Sequence, residues 1–266
     1  MTTEQHQQIV ALLHEVGTFQ LKYFRNIGED AIDMKAAKET VSFVDVESEK
    51  LLKAGLSKIL PEAGWYGEEL GQEGDQDFVW IVDPIDGTTN YLNGIPHFSI
   101  SIALVKQGTP IYGTVYQPYN REYLSATQGE GATLNGKKLN ITPRIQDASE
   151  ALFATGFPYR SEDLNDAFFQ CANDVLRLGR GIRRPGSAAL DLAYTGAGWF
   201  GGFWESDLQP YDVAAALVIM NEAQLAITNH HGEPYNMFKD RILVTAPKGV
   251  HPILLATVAK HYGSLL

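Results

Sequence analysis

Residues 80–90 read Trp80-Ile81-Val82-Asp83-Pro84-Ile85-Asp86-Gly87-Thr88-Thr89-Asn90. The apolar run from Phe78 to Val82 has the length and composition of a buried strand. It ends at an acid. Pro84 has no backbone N–H and forces the chain out of regular pairing. A second acid follows at Asp86, and Gly87-Thr88-Thr89 then opens a helix. Two carboxylates at a strand end with a tight turn between them can point at one cation, and the Ile85 carbonyl lies between them as a third oxygen. Hard cations such as Mg²⁺ prefer oxygen ligands and keep several waters. The amides of Gly87 and Thr88, at a helix start, can form an anion site beside that cation. Cation and anion cradle together point to a phosphate ester held on Mg²⁺. Asp-Pro and Asp-Gly pairs are also ordinary turn formers. The weight therefore rests on the whole string and not on either acid alone.

Two other acids can join this pair. Glu68 follows Trp65-Tyr66-Gly67 at what reads as a strand end, although adjacent glutamates are also common on surface loops. Asp212 opens an apolar helix in Pro210-Tyr211-Asp212-Val213-Ala214-Ala215, where an acid also complements the helix dipole.

Outward from this stretch, the first half reads as helices followed by a sheet. Ile9, Leu12, Leu13, Val16, Gln20, Tyr23 and Phe24 recur at helical spacing. A second helix is expected from about Ser42, a good N-cap, to Leu60, with Pro61 stopping it. Strands are expected over 98–105, 110–116 and 122–126, and Gly129, Gly131 and Asn135-Gly136 signal one more hairpin. Near residue 145 the pattern changes to alternation: strand near Leu152, helix over 164–178, strand near Ile182, helix over 188–195, strand over 200–204, helix over 213–222. A last helix carries Val250, Ile253, Leu254 and Val258. The class is α/β, with an α+β region over 1–145 and an alternating α/β region over 146–266.

The chain has 266 residues, with 32 acidic and 21 basic side chains and a net charge of −11. That balance argues against binding nucleic acid by bulk charge, which needs a basic surplus to displace counterions. The single cysteine, Cys171, rules out an intramolecular disulfide and a cysteine-based zinc cluster. The polar start, Met1 to Gln8, carries no secretory signal, and no apolar run approaches a membrane span. A cytoplasmic protein with neither nucleic acid nor membrane as partner is expected.

Three motifs in order, Gly67-Glu68-Glu69, Asp83-Pro84-Ile85-Asp86-Gly87-Thr88-Thr89-Asn90, and Trp204-Glu205 with Pro210-Tyr211-Asp212-Val213-Ala214-Ala215, resemble those of the inositol monophosphatase family. Gly186-Ser187-Ala188-Ala189-Leu190-Asp191-Leu192-Ala193 resembles the bacterial members, and the likeness spans nearly the whole chain. The resemblance implies a layered α-β-α-β-α sandwich of the inositol monophosphatase/fructose bisphosphatase type. It also implies two to three Mg²⁺ ions per site, sensitivity to Li⁺ and usually a homodimer. Glu68, Asp83 and the Ile85 carbonyl would hold one ion, and Asp83, Asp86 and Asp212 a second. Glu68 would also face a third, more weakly held. Asp45 and Thr88 would orient and deprotonate the attacking water. Gly87 and Thr88 would bind phosphate, while Asp86, Ser187, Ala188 and Glu205 would contact the polyol. Lys35 would sit on a mobile loop over the metals. The chain departs from the family pattern at Pro210-Tyr211-Asp212, usually Pro-Trp-Asp, and at Glu222-Ala223-Gln224-Leu225, usually Glu-Ala-Gly-Gly. Neither change touches a proposed ligand.

The implied activity is Mg²⁺-dependent hydrolysis of inositol monophosphate or a similar small-molecule phosphate ester. Fructose 1,6-bisphosphate, 3′-phosphoadenosine 5′-phosphate and histidinol phosphate are the alternatives, as is a non-catalytic regulatory protein on the same fold. Arg183-Arg184 can reach a second anionic group or form a solvated pair. His97 shows no evident partner. His230 and His231 are read as loop residues whose adjacency sends them to opposite faces. Cys171 is read as packed, and Phe200, Phe203 and Trp204 as core and rim.

Overall fold

The computed structural model describes residues 1–26, 32–36, 39–74, 76–139 and 145–263, with backbone alone for 32–36 and 39–41. The order opens with α1 (Thr3–Tyr23), a small hairpin β1 (Ile32–Ala36) and β2 (Glu39–Ser42), and α2 (Phe43–Ile59). There follow β3 (Gly64–Gly67), β4 (Gly71–Glu73), β5 (Phe78–Asp86) and the short α3 (Thr88–Leu92). Next come β6 (Ser99–Lys106), β7 (Thr109–Gln117), β8 (Glu122–Thr127), β9 (Gly131–Leu134) and β10 (Lys137–Lys138). The later elements are β11 (Leu152–Thr155), α4 (Asn165–Leu176), β12 (Gly181–Arg183), α5 (Ala188–Gly196), β13 (Gly202–Ser206) and α6 (Pro210–Glu222). The chain closes with β14 (Ala226–Thr228), β15 (Ile242–Ala246) and α7 (His251–Tyr262).

The first sheet has eight strands in the order β10-β9-β8-β7-β6-β5-β3-β4, antiparallel except where β3 runs beside β5. The second has five in the order β12-β11-β13-β15-β14. Its β11 pairs parallel with both β12 and β13, and β15 runs antiparallel to both β13 and β14.

Strand alternation places these sheets in layers. From β5, Trp80 and Val82 face α1 and α2, where they meet Ile9, Leu13, Val16, Leu52 and Leu56. Ile81, between them, faces the opposite side and packs with α5 and α6. α6 is buried continuously from Val213 to Met220. A helix apolar on every side must be covered on every side, and α6 is covered because it lies between the sheets. Beyond the second sheet, Phe153, Trp204, Ile242 and Val244 pack against Phe168, Cys171 and Val175 of α4 and Leu254 and Val258 of α7. The result is the layered sandwich α1/α2, sheet, α5/α6, sheet, α4/α7.

Gly113 lets α6 approach the first sheet this closely. A Cβ there would lie 2.1 Å from the Ala215 carbonyl oxygen and 2.7 Å from its carbon, both backbone atoms that no rotamer change can move. Gly113→Ala is expected to cost roughly 3 kcal/mol through overpacking, read as a lower urea midpoint. An unchanged midpoint would mean the layers separate easily.

Two expectations are corrected here. The alternating reading of the second half ends its strands at β13, whereas β14 and β15 complete the sheet. Pro84-Ile85 forms no turn outside the sheet: β5 continues through Asp86, with Asp83 opposite Ser101 and Asp86 opposite Ser99. Two residues of β5 therefore face the single residue Ile100 of β6, a bulge.

Candidate metal centre

The bulge builds the centre of the site. In a regular strand Asp83 and Asp86, three residues apart, would point to opposite faces. The extra residue re-aims the chain, and both carboxylates reach one side. Buried oxygens of Asp83, Asp86 and Asp212 all lie within 4.8 Å of one another. The bulge is braced from beneath. Gln20 of α1 is fully buried and its Nε2 donates to the Pro84 carbonyl at 2.8 Å and to Ser48 Oγ at 3.1 Å.

Each acid is also held by its own partners. Asp83 Oδ1 accepts from the Ile85 amide at 2.9 Å. Asp86 Oδ2 accepts from the Ala189 amide at 2.7 Å and from the Ser187 hydroxyl at 2.5 Å, which ties β5 to the start of α5. Asp212 caps α6, accepting from the Gln209 amide at 2.7 Å, with Arg160 Nη1 at 3.4 Å. Glu68 follows β3, and its amide donates to the Val82 carbonyl at 3.2 Å, which sets it beside Asp83.

The electrostatics are those of acids crowded together without enough water. Burial, then Glu68, Asp86 and Asp212, hold the Asp83 carboxyl well above its ordinary range. Burial and then the Asp212 charge push Asp86 to about 7, against the lowering pull of Ser187 and Ala189. Burial also raises Asp45, opposed by bonds from Ser42 and Thr88. Such a group of carboxylates must hold protons or gain cations. Its donors are all hard oxygens, so the residues present fit Mg²⁺.

Beside the acids, Gly87 begins α3 at φ +93°, where only glycine is at ease. A Cβ there would also lie 2.9 Å from the Gly186 carbonyl. The Thr88 hydroxyl lies 3.1 Å from Asp45 Oδ1 and 2.9 Å from the Ile85 carbonyl, two acceptors for one proton. Asp45 itself is fixed at the start of α2 by the Ser42 amide at 2.9 Å and the Ser42 hydroxyl at 2.6 Å.

These groups line a cavity of about 480 Å³, which Glu68, Asp83, Ile85, Asp86, Gly87, Thr88, Ser187, Ala188, Glu205 and Asp212 share. Ser187 is fully buried, its hydroxyl between Asp86 and Ser99. Glu205, at the end of β13, presses on Gly156, where a Cβ would lie 1.9 Å from its Oε1. Burial holds the Glu205 carboxyl well above its usual range, while the nearby Arg184 pulls the other way. Lys35 lies on β1, and its side chain lies outside the described residues.

The structure separates Arg183 from Arg184. Arg183 is exposed and bonds the Ile182 carbonyl. Arg184 lines the cavity, its guanidinium carbon 5.2 Å from the Phe157 ring centre and 4.9 Å from that of Tyr159. His97 does have a partner: its Nε2 lies 2.9 Å from the buried Asp191, an α5 residue on the cavity wall. The rings of His230 and His231 lie with centres 3.8 Å apart and not on opposite faces, because they sit in a turn where strand alternation does not apply. Cys171 is fully buried, and its thiol is pushed up to about 12, chiefly by burial. Reasoning along the chain missed Arg160 against Asp212, Asp191 with His97, and Glu49 of α2. Only Glu49 had a local signal, lying one helical turn from Asp45.

A model of the inositol monophosphatase family matches residues 3–262. A protein from Aquifex aeolicus named fructose-1,6-bisphosphatase/inositol-1-monophosphatase is 36% identical over 240 residues, 90% of this chain and 89% of that protein. The Nus factor SuhB of Xylella fastidiosa is 31% identical over 96% of this chain and 94% of its own. The crystal structure of the extragenic suppressor protein suhB from Bartonella henselae superimposes with a TM-score of 0.89 at 32% identity, covering 96% of this chain and 98% of that one. Sequence, layered fold and acidic cavity agree: the chain belongs to the inositol monophosphatase family.

Proposed function

We propose that this chain hydrolyses inositol monophosphate, or a closely similar polyol monophosphate, to the alcohol and inorganic phosphate. Mg²⁺-dependent phosphomonoesterase chemistry on a polyol or sugar phosphate comes with the family. The observation that carries the proposal is the convergence of buried Asp83, Asp86 and Asp212 within 4.8 Å in a cavity that also holds Glu68, Gly87 and Thr88.

In this reading Glu68, Asp83 and the Ile85 carbonyl hold one Mg²⁺, and Asp83, Asp86 and Asp212 a second, with Glu68 also facing a third. Bound there, Mg²⁺ lowers the pKa of water and neutralises phosphoryl charge. The Gly87 and Thr88 amides hold phosphate oxygens. As water attacks phosphorus, Thr88 Oγ1 takes a proton from it and passes its own to Asp45 Oδ1, the acceptor it already faces at 3.1 Å, while the P–O bond to the alcohol breaks and the departing oxygen takes a proton from solvent. Burial raises the Asp45 pKa, which suits it to take that proton. Ser187 and Ala189 orient Asp86, and Glu205 accepts hydrogen bonds from vicinal hydroxyls.

The Arg184 cation on the cavity wall favours a second reading, a sugar bisphosphate, as the name of the Aquifex relative suggests for that protein. Glu205 disfavours it to the extent that the nearby Arg184 keeps it ionised against the burial that raises its pKa, because a carboxylate repels a second phosphate. Phosphate release from inositol 1-phosphate and from fructose 1,6-bisphosphate decides between them. The monophosphate is expected to have the higher kcat/KM, and Glu205→Gln to narrow the gap. A bisphosphate preference in the wild type would reverse the assignment.

The names of the SuhB relatives also raise a regulatory role. The retained Glu68, Asp83, Asp86, Thr88 and Asp212 support catalysis, and the net charge of −11 supports a chain that does not hold nucleic acid by bulk charge. A homodimer is proposed on family grounds. Millimolar Li⁺ is expected to inhibit by occupying a cation position, and a rate indifferent to Li⁺ at every Mg²⁺ concentration would remove that expectation.

A further inference from the structure

We infer that Glu49, a buried carboxylate beneath the site, is a positioning residue that sets Glu68 against Asp83 and thereby tunes affinity for Mg²⁺. The inference rests on the functional reading above. Asp45 and Glu49 lie one turn apart on the buried side of α2. Asp45 reaches the Thr88 hydroxyl. Glu49, fully buried, reaches the segment that follows β3.

Its carboxylate accepts three N–H groups. Oε2 takes the Glu69 amide at 2.7 Å, while Oε1 takes the Leu70 amide at 3.0 Å and the Trp65 indole at 3.1 Å. The fit is close, because a Cβ on Gly67 would lie 1.7 Å from Oε1. Glu68 is thus pinned on both sides. Its own amide bonds the Val82 carbonyl, one residue before Asp83, and the two amides after it bond Glu49. One helix face therefore fixes both walls of the cavity, Asp45 the wall made by β5 and α3, and Glu49 the wall made by the β3 exit. A carboxylate that accepts three donors and donates nothing cannot be replaced by its amide. In Glu49→Gln the NH₂ group must face an N–H donor. With the oxygen kept on the Trp65 and Leu70 side, the Glu69 amide loses its acceptor.

The test compares wild type, Glu49→Gln and Trp65→Phe by two readouts, the Mg²⁺ concentration at half-maximal rate and the Mg²⁺-induced rise in Tm without substrate. Glu49→Gln is expected to need about tenfold more Mg²⁺, with kcat recovered at saturating Mg²⁺ and a smaller Mg²⁺-induced rise in Tm. Trp65→Phe removes one donor but leaves both backbone amides in place, so it is expected to lower Tm without changing the Mg²⁺ requirement. An unaltered Mg²⁺ requirement in Glu49→Gln would overturn the inference. So would the same defect in Trp65→Phe, which would make it a matter of core loosening. Should Glu49→Gln not fold, Glu49→Asp, one methylene too short to reach the amides, takes the same measurement. Failure of both to fold would assign Glu49 to the core alone. A wild type without Mg²⁺-dependent turnover, but with the Tm contrast intact, would sink the phosphatase reading and leave the positioning role standing.

Discussion

Asp83→Asn is expected to lower kcat/KM for phosphate-ester hydrolysis by about 10³-fold or more, because the residue is shared by two proposed cation positions and each contributes several kcal/mol of transition-state stabilisation. The same substitution is expected to raise the Tm of the metal-free protein at pH 7 and above. Folded Asp83 keeps its proton well above the ordinary range, since burial and three neighbouring acids penalise its charge. Unfolded, the same group ionises near its ordinary value, so folding at neutral pH works against that difference. An asparagine carries no such cost, and its side-chain oxygen can still accept from the Ile85 amide. The expected signature is a folded, inactive variant that is more stable than wild type in EDTA and gains less from Mg²⁺. Substantial remaining turnover would remove Asp83 from the ligand set. A metal-free Tm below wild type would show that the acid is structural.

The second large effect is the coupling of stability to pH and Mg²⁺. Asp86 is raised from 3.8 to about 7, and Asp83 is raised as well. Where the folded pKa exceeds the unfolded one, the folded state binds the extra proton. The stabilisation is then complete below the unfolded pKa and is lost as pH rises through the folded pKa. Metal-free protein should therefore lose stability between about pH 4 and pH 7, on the order of a few kcal/mol shared among the interacting acids around Asp86. For a chain of this size that is roughly 10 °C in Tm. Mg²⁺ takes the place of the protons, so saturating Mg²⁺ should restore the lost stability at pH 7 to 8 by linkage and add little near pH 4. Thermal melts across pH with EDTA or Mg²⁺ give the comparison. A metal-free Tm that rises from pH 5 to pH 8 would reverse the sign of the argument.

Much of this site is local in the chain, and that part was legible. Asp83, Pro84, Asp86, Gly87 and Thr88 lie within six consecutive residues, so strand, paired acids and glycine turn can be read directly. The bulge could be sensed from Pro84, but its effect on side-chain direction depends on β6, which adds one partner residue where β5 offers two. Glu68 and Asp212 are ordinary in their own surroundings: local pattern marks them only as acids that can join the pair, and the family resemblance gave them their roles in it. Asp191 with His97, 94 positions apart, and Arg160 with Asp212, 52 apart, leave no trace in sequence spacing.

For the fold, period carried the helices and long strands. α6 reads as a helix from its length and was placed between two sheets only when both existed. β15 is a short apolar run, Ile242-Leu243-Val244-Thr245-Ala246, bounded by charges before it and Pro247 after it. Its composition is that of a buried strand, but the expected βα alternation leaves no place for it because it pairs antiparallel with β13. β3 and β4 span four and three residues. Their position beside β5 is a tertiary fact that local pattern does not contain.

The carboxylates gathered around Asp83 are proposed to form a Mg²⁺ centre for phosphomonoester hydrolysis. Phosphate release from inositol 1-phosphate by the wild-type chain, measured in EDTA and across a Mg²⁺ titration, tests it most directly. No turnover is expected in EDTA and saturable turnover with Mg²⁺, lost in Asp83→Asn. Turnover independent of Mg²⁺, or none with Mg²⁺ on this or any other phosphate ester, would contradict it.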